Sequence, residues 1–572
     1  MVSIALDVAY GRERSPATSD PSKNMFRMNT SGRTLVAAAA LLGGMTLGVG
    51  QAMAISPTIS CDNAGIGSVT LMSDDQLPAQ ATTLSATPAM TPASVPFCLV
   101  KVLVPQAINI WVGLPDNWNG RWQSLGGSGP YFGSVSAPIL AVNDGYAGAA
   151  SDAGHTRPDG SFACVNNCVG NSASNPGQPN VPLQIDFAYR SEHLMAVIGK
   201  QLVQAYYGQP PVYSYWNGCA GGGRQGLRMA QDYPNDYDGI LAGAPAIPGG
   251  RLVAGLIWPQ VVQYQDNGGL IGGGVAATLL AKENLATSRA VAACDALDGV
   301  IDGVLTDPRM CTYSAAEDPA MTRATCTAGD PSCLTPTEAS AIDKMWQGPA
   351  SCGAGIRGAA CRVPYFANQR LWYPPTRGTA LEELAGVTPI ANAVNQPRYW
   401  VYFDPTWDWR VLDYFNYVRY IKDTVNRVGP LMASDNPNLV PFRDHGGKLV
   451  MWHGFADQRV APGWSIDYYD AVTQAMGGGY ERTQQFARLF MAPGVAHCGG
   501  GTGPQPQRLF DAVVDWVEHG QAPDKILASK AIAGGMQTRP LCPYPELAVY
   551  GGIGSTDDAA NFSCARLDGG HD

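Results

Sequence analysis

The residues that could do chemistry lie in three short stretches. The first is Tyr215-Trp216-Asn217-Gly218-Cys219-Ala220-Gly221-Gly222-Gly223-Arg224-Gln225, where a strand-like run meets a tight turn and a glycine-rich helix start. This is the layout of G-x-S-x-G, the strained turn that lifts a nucleophilic serine above the end of a sheet. Small residues surround such an apex because the backbone bends sharply and passes close to its neighbours. Here the apex is Ala220, which meets the steric demand but has no oxygen to attack with. The other stretches, His453-Gly454-Phe455-Ala456-Asp457 and Pro493-Gly494-Val495-Ala496-His497-Cys498, supply an acid and then a histidine in the required chain order. An acid in that place orients the imidazole, and the imidazole takes the hydroxyl proton. A lone strand-end histidine is more often structural, and it is the elbow upstream that favours a catalytic His497. Cys219 is no substitute nucleophile: it sits one residue before the apex, where its side chain points away from a substrate.

Positioning these residues requires a sheet. Pro211–Asn217 reads as a strand from Val212 onward, Gly222–Asp232 as a helix, and Gly239–Ala244, Lys448–His453 and Ala487–Met491 as further strands. Leu509–Glu518 has apolar residues at helical spacing and closes the set. Strands alternating with helices predict a parallel α/β sheet. Between about Ala246 and Asp444 the character changes to Gly, Pro, cysteines and aromatic clusters, an insertion directly after a strand's C-terminal end, where a lid over a site would sit. The expected division is a leader over 1–54, a core over 55–245, a lid over 246–440 and the rest of the core over 441–572.

Composition excludes several classes. With 37 Lys+Arg against 47 Asp+Glu, the net charge is −10, and no basic cluster offers a nucleic-acid surface. Charged residues make up 15% and apolar ones 45%, which excludes disorder for most of the chain. Arg27 and Arg33 precede an apolar run from Thr34 to Gly50 that leads into Ala52-Met53-Ala54. That is a secretory signal with cleavage expected after Ala54, and it predicts a secreted or periplasmic protein. The polar stretch before Met25 is longer than a signal needs, so Met25 is an alternative start. No later stretch is apolar enough to span a membrane, and export suits the 14 cysteines as disulfides. Zinc is disfavoured, since paired C-x2-C spacing with histidines is missing.

These motifs resemble the tannase and feruloyl esterase family, which includes mono(2-hydroxyethyl) terephthalate hydrolases. The resemblance runs from about Cys61 to Cys564 and is carried by Cys219 before the apex and Cys498 after the histidine. Gly126-Gly127-Ser128-Gly129, Tyr237-Asp238-Gly239-Ile240-Leu241-Ala242-Gly243-Ala244-Pro245 and Arg539-Pro540-Leu541-Cys542-Pro543-Tyr544-Pro545 add to it. It implies an α/β-hydrolase fold with a large inserted lid stabilised by disulfides and calcium. It implies a Cys219–Cys498 bond tying the elbow to the histidine loop, and pairs Cys61–Cys98, Cys294–Cys311, Cys326–Cys333 and Cys542–Cys564. Cys164–Cys168 and Cys352–Cys361 rest only on nearness and on leaving no thiol over. The resemblance also implies an oxyanion hole from the Gly221 and Gly127 amides; without it, Gly126–Gly129 reads as a plain turn.

Asp295-Ala296-Leu297-Asp298-Gly299-Val300-Ile301-Asp302-Gly303-Val304 places three carboxylates in a loop bent by glycines. By resemblance it is a structural calcium loop, with side chains of Asp295, Asp298 and Asp302 and carbonyls of Val300 and Val304 as ligands. The spacing is not that of an EF-hand, so from the residues alone a solvated acidic turn is as good a reading. The expected chemistry is hydrolysis of a small aromatic ester (gallate, hydroxycinnamate or terephthalate half-ester) through an acyl-enzyme, with Ala220 standing where the serine would be. Trp372, Tyr373, Trp400, Tyr402, Trp407 and Trp409 are expected either as ring-stacking walls or, preferably, as lid core. As written the chain is expected to be inactive, either a Ser→Ala knock-out or a natural pseudoenzyme that binds without hydrolysing.

Overall fold

The computed structural model describes residues 54–72, 83–105, 107–127, 133–349 and 383–566. Residues 1–53 of the expected leader, Ser128, Gly129, Cys352, Cys361, Trp372 and Tyr373 lie outside them. Among the described residues nine strands form the main sheet: β1 (Thr83–Met90), β2 (Pro96–Val104), β3 (Ile108–Pro115), β4 (Arg121–Leu125), β5 (Ala147–Ser151), β6 (Tyr213–Cys219), β7 (Gly239–Gly243), β8 (Lys448–Gly454) and β9 (Ala487–Ala492). Their spatial order is β1-β2-β3-β5-β4-β6-β7-β8-β9.

The expectation of a parallel sheet holds only from β5 to β9. β1, β2 and β3 form an antiparallel meander, and β3 pairs antiparallel with β5, so the sheet is mixed. The reason is connection length: β1, β2 and β3 are joined by short turns that cannot carry a crossover helix, whereas β5 to β9 are linked through helices.

Helix α1 (Ser191–Tyr207), α2 (Gly221–Asp232) and α7 (Gly463–Met476) cover one face of the sheet, burying Leu194, Ile198, Leu202, Leu227, Ile466 and Val472 against Val112, Ile240 and Met451. On the other face α8 (Leu509–His519) buries Val513 and Trp516 against Leu241, Val450 and Phe490.

Adjacent strands β7 and β8 are separated in sequence by the long insertion, which holds α3 (Gly250–Asn267), α4 (Ala276–Cys294), α5 (Pro336–Gln347) and α6 (Tyr417–Met432). These helices have their own core around Ile257, Trp258, Ile342, Trp346 and Tyr420, which continues into Val460, Ala461 and Trp464 after β8. The insertion is thus packed onto the sheet beside the strand ends that carry the site. Six disulfides, Cys61–Cys98, Cys164–Cys168, Cys219–Cys498, Cys294–Cys311, Cys326–Cys333 and Cys542–Cys564, match the expected pairs within the described residues. No helix among the described residues is long and apolar enough to cross a membrane.

Candidate active site

The elbow forms where β6 runs into α2. Ala220 joins them at φ 59°, ψ −115°, a conformation that L-residues rarely adopt and that serves to aim a side chain upward from the strand end. Glycines make the turn possible by close approach: a Cβ on Gly222 would lie 2.9 Å from the Gly127 carbonyl oxygen, and one on Gly223 would lie 2.3 Å from that of Gly243. Gly221 begins α2, so its amide is one of the N–H groups a helix leaves without an internal acceptor.

Asp457 and His497 come from the turns after β8 and β9. His497 Nδ1 lies 2.7 Å from Asp457 Oδ2. Asp457 is fully buried and His497 is 11% exposed. Asp457 Oδ1 accepts the backbone amides of Arg459 and Val460, each at 2.8 Å. Burial pushes the Asp457 carboxyl up, but the charge and hydrogen bonds of His497 and His453 outweigh it and hold the group well below the usual carboxylate range. With Nδ1 engaged, Nε2 is the nitrogen left to face a cavity of about 310 Å³ that His497, Ala220, Gly221 and Cys498 help to line. The Cys219–Cys498 disulfide, with Cα atoms 6.0 Å apart, joins the residue before Ala220 to the residue after His497.

Much of the remaining wall is aliphatic, from Leu252, Val253, Leu256 and Ile390 to Val428 and Met432, with Phe187 the aromatic contributor among the described residues. Trp400, Tyr402, Trp407 and Trp409 do not line it. Trp400 packs on Phe162 and Phe187, Tyr402 stacks on Trp407, and Trp409 is buried in the insertion's core. Among the described residues, two arginines reach the wall. Arg224 is buried and donates to the Ala188 and Phe187 carbonyls, while Arg459 pairs with Glu383.

Gly127 packs beside the start of α2. Its N–H donates to Gln225 Oε1 at 3.1 Å, so that amide is taken up by a side chain rather than presented to the cavity. Gln225 in turn donates to Glu192. Burial raises the Glu192 carboxyl to about 7, although Arg224 and hydrogen bonds from its surroundings pull the other way.

The acidic loop folds on its own amides. Asp295 accepts the Gly303 N–H at 3.0 Å on each oxygen, Asp298 accepts from Val300 and Thr306, and Asp302 accepts from Val304. Gly299 and Gly303 make the bends at φ 84° and 81°. Asp302 Oδ2 also pairs with Arg539 at 2.6 Å. Burial is the main cause that raises the Asp302 carboxyl; Arg539 lowers it, and repulsion from Asp298 and Asp295 raises it further. The carboxylate oxygens of Asp295, Asp298 and Asp302 do not all come within 4.8 Å of one another in this structure, and Asp302 is shared with Arg539.

Sequence reasoning passed over His453. Its fully buried imidazole lies 3.1 Å from Asp457 Oδ2. The available signal was a histidine four residues before the acid at the end of the same strand.

The family model for tannase and feruloyl esterase matches residues 100–565. A probable feruloyl esterase of Arthroderma benhamiae is 35% identical over 480 residues, covering 81% of this chain and 83% of the relative. The mono(2-hydroxyethyl) terephthalate hydrolase of Piscinibacter sakaiensis is 29% identical over 528 residues, covering 81% and 82%. The crystal structure of feruloyl esterase B from Aspergillus oryzae superposes with a TM-score of 0.68 at 25% identity, over 86% of this chain and 98% of that one. The tannin acyl hydrolase of Aspergillus niger shares the fold, with a TM-score of 0.71 at 20% identity over 89% and 95%. The protein therefore belongs to the tannase and feruloyl esterase family, and by that family it is a carboxylic ester hydrolase.

Proposed function

We propose that the cavity beside Ala220 is the acyl-transfer site of an aromatic-ester hydrolase whose nucleophilic serine is replaced by alanine. One observation carries this: a residue with φ 59° and ψ −115° at a strand-to-helix elbow lines the same cavity as an imidazole held by a buried carboxylate. With serine at position 220, His497 Nε2 takes the hydroxyl proton as Oγ attacks the ester carbonyl. Asp457 stabilises the imidazolium, and the Gly221 amide faces the developing oxyanion. His497 then returns the proton to the leaving alcohol, and water repeats the sequence to release the acid. The aliphatic walls suit the ring of an aromatic acid such as gallate, a hydroxycinnamate or a terephthalate half-ester; the relatives are named as a feruloyl esterase, a mono(2-hydroxyethyl) terephthalate hydrolase and a tannin acyl hydrolase.

As it stands the chain binds such an ester without turning it over, because loss of the nucleophile costs on the order of a million-fold in serine hydrolases. The intact His497–Asp457 pair supports a catalytic past over a site built only for binding. The test is Ala220→Ser assayed on methyl gallate, methyl ferulate and mono(2-hydroxyethyl) terephthalate. Hydrolysis of any of them is expected, and a folded variant inert on all three and on simple aryl esters overturns the reading.

The same reading takes residues 246–440 as a lid, places the protein outside the cytosol, and gives Asp295, Asp298, Asp302 and the Val300 and Val304 carbonyls to a structural calcium ion. Chelation is expected to lower the melting temperature, and an unchanged melt with no calcium in the purified protein removes the metal.

A further inference from the structure

His453 lies at the end of β8, outside the cavity wall, yet it touches the acid on which the site depends. Asp457 Oδ1 is held by two backbone amides of its own turn. Oδ2 faces two imidazoles, His497 Nδ1 at 2.7 Å and His453 Nε2 at 3.1 Å. His453 Nε2 also lies 3.1 Å from the Val460 carbonyl oxygen. A carboxylate and a carbonyl are both acceptors, so Nε2 must carry a proton. Nδ1 lies 2.7 Å from Ser465 Oγ. Since Ser465 belongs to α7, the imidazole is anchored to the main body of the fold rather than to the turn.

Ser465, His453 and Asp457 are all fully buried. The chain Ser465–His453–Asp457 is thus a second serine–histidine–aspartate array sharing its acid with the first. Ser465 does not line the cavity and cannot meet an ester. What the array can do is fix the rotation of the carboxylate. Both accepting directions of Oδ2 are filled by imidazole N–H groups, which leaves no room for water to compete with His497.

We propose that His453 is a positioning residue, which holds Asp457 Oδ2 toward His497 by donating from Nε2 while Ser465 and the Val460 carbonyl hold His453. The proposal rests on the acyl-transfer reading of the cavity. If His453 served only to fill space, phenylalanine would replace it well and glutamine poorly. If it serves as a donor, the order reverses, because a glutamine amide can reach Asp457 and a phenyl ring has nothing to give.

The experiment is carried out in the Ala220→Ser protein with His453→Phe and His453→Gln, measuring kcat, KM and melting temperature for each. His453→Phe is expected to lower kcat by between about tenfold and about a hundredfold, below the roughly ten-thousandfold loss that follows when the acid itself is neutralised. KM should stay within about twofold, since His453 does not line the cavity. His453→Gln is expected to recover most of kcat. A folded His453→Phe that keeps kcat within about threefold, or equal losses in both variants, overturns the proposal.

Should His453→Phe fail to fold, nitrogen-15 NMR of the unaltered Ala220 chain decides the matter. A proton on His453 Nε2 that couples to Asp457 supports the role, and an unprotonated Nε2 refutes it. If Ala220→Ser hydrolyses no ester, the acyl-transfer reading fails by itself, while the NMR still reports whether His453 donates to Asp457.

Discussion

The Cys219–Cys498 bond closes a loop with a sequence separation of 279, whereas Cys164–Cys168 closes one of only 4. In the chain-entropy description a cross-link stabilises by restricting the unfolded chain, and its effect grows with the logarithm of loop length. Applied to these separations at 25 °C, it gives about 5.6 kcal/mol for the long loop and about 1.9 kcal/mol for the short one. Cys294–Cys311 and Cys326–Cys333 lie inside the long loop and shorten it only slightly, which a logarithm barely registers. Replacing Cys219 and Cys498 together by alanine should therefore destabilise the protein by about 4 kcal/mol more than replacing Cys164 and Cys168. Equilibrium urea unfolding followed by tryptophan fluorescence measures both losses against the parent chain. Losses within about 1 kcal/mol of each other would show that loop entropy is not what the long bridge contributes. Its value would then lie in holding Ala220 and His497 in register.

Other outcomes follow from single groups. In the Ala220→Ser protein, Asp457→Asn should lower kcat by about ten-thousandfold with the fold unchanged by circular dichroism, and a smaller loss than about a hundredfold would remove Asp457 from the mechanism. Glu192 titrates at about 7 in the fold against an ordinary 4.5, so the folded state holds an extra proton between those values and stability falls as pH rises through them. That gap is worth about 3 kcal/mol, and Glu192→Gln should flatten the decline in urea stability between pH 5 and pH 8. Ala220→Gly should stabilise the chain by about 1 kcal/mol, because glycine accepts the positive φ at little cost; a lower melting temperature would show the apex to be unstrained.

The elbow was legible because its requirements are local. Gly222 and Gly223 are there because the Gly127 and Gly243 carbonyls leave no room for a Cβ, and that demand writes itself into adjacent letters. β6 to β9 were legible as apolar runs buried on both faces. The meander β1 to β3 was not read: β1 is an edge strand carrying Pro88, and such a strand declares itself only through the partner it pairs with. Gly127 was assigned from a motif, but whether its amide meets a substrate or a glutamine depends on Gln225, a residue of the facing helix. His453 stayed hidden for a related reason. Its partners Asp457, Val460 and Ser465 come together only when the turn folds back and α7 follows it.

The apex backbone is held by its neighbours and not by its side chain. The Ala220 amide donates to the Gly243 carbonyl at 2.9 Å, and its own carbonyl accepts from Arg224 at 3.0 Å and Ala246 at 3.2 Å. Exchanging alanine for serine adds one oxygen and disturbs none of these bonds. Asp457 is a buried charge, and removing a partner from a buried charge costs about 3–5 kcal/mol when nothing compensates. His453 and the two turn amides would thus be kept by folding alone, even in a chain that had long ceased to catalyse. His497 differs, because it reaches the cavity and is the most exposed member of the network. Without it, Asp457 keeps both amides and His453, and water can enter from the cavity. His497→Ala in the Ala220 chain should therefore cost no more than about 1.5 kcal/mol in urea unfolding. A loss of about 3 kcal/mol or more would mean that the fold itself retains His497, and its presence would no longer speak for catalysis.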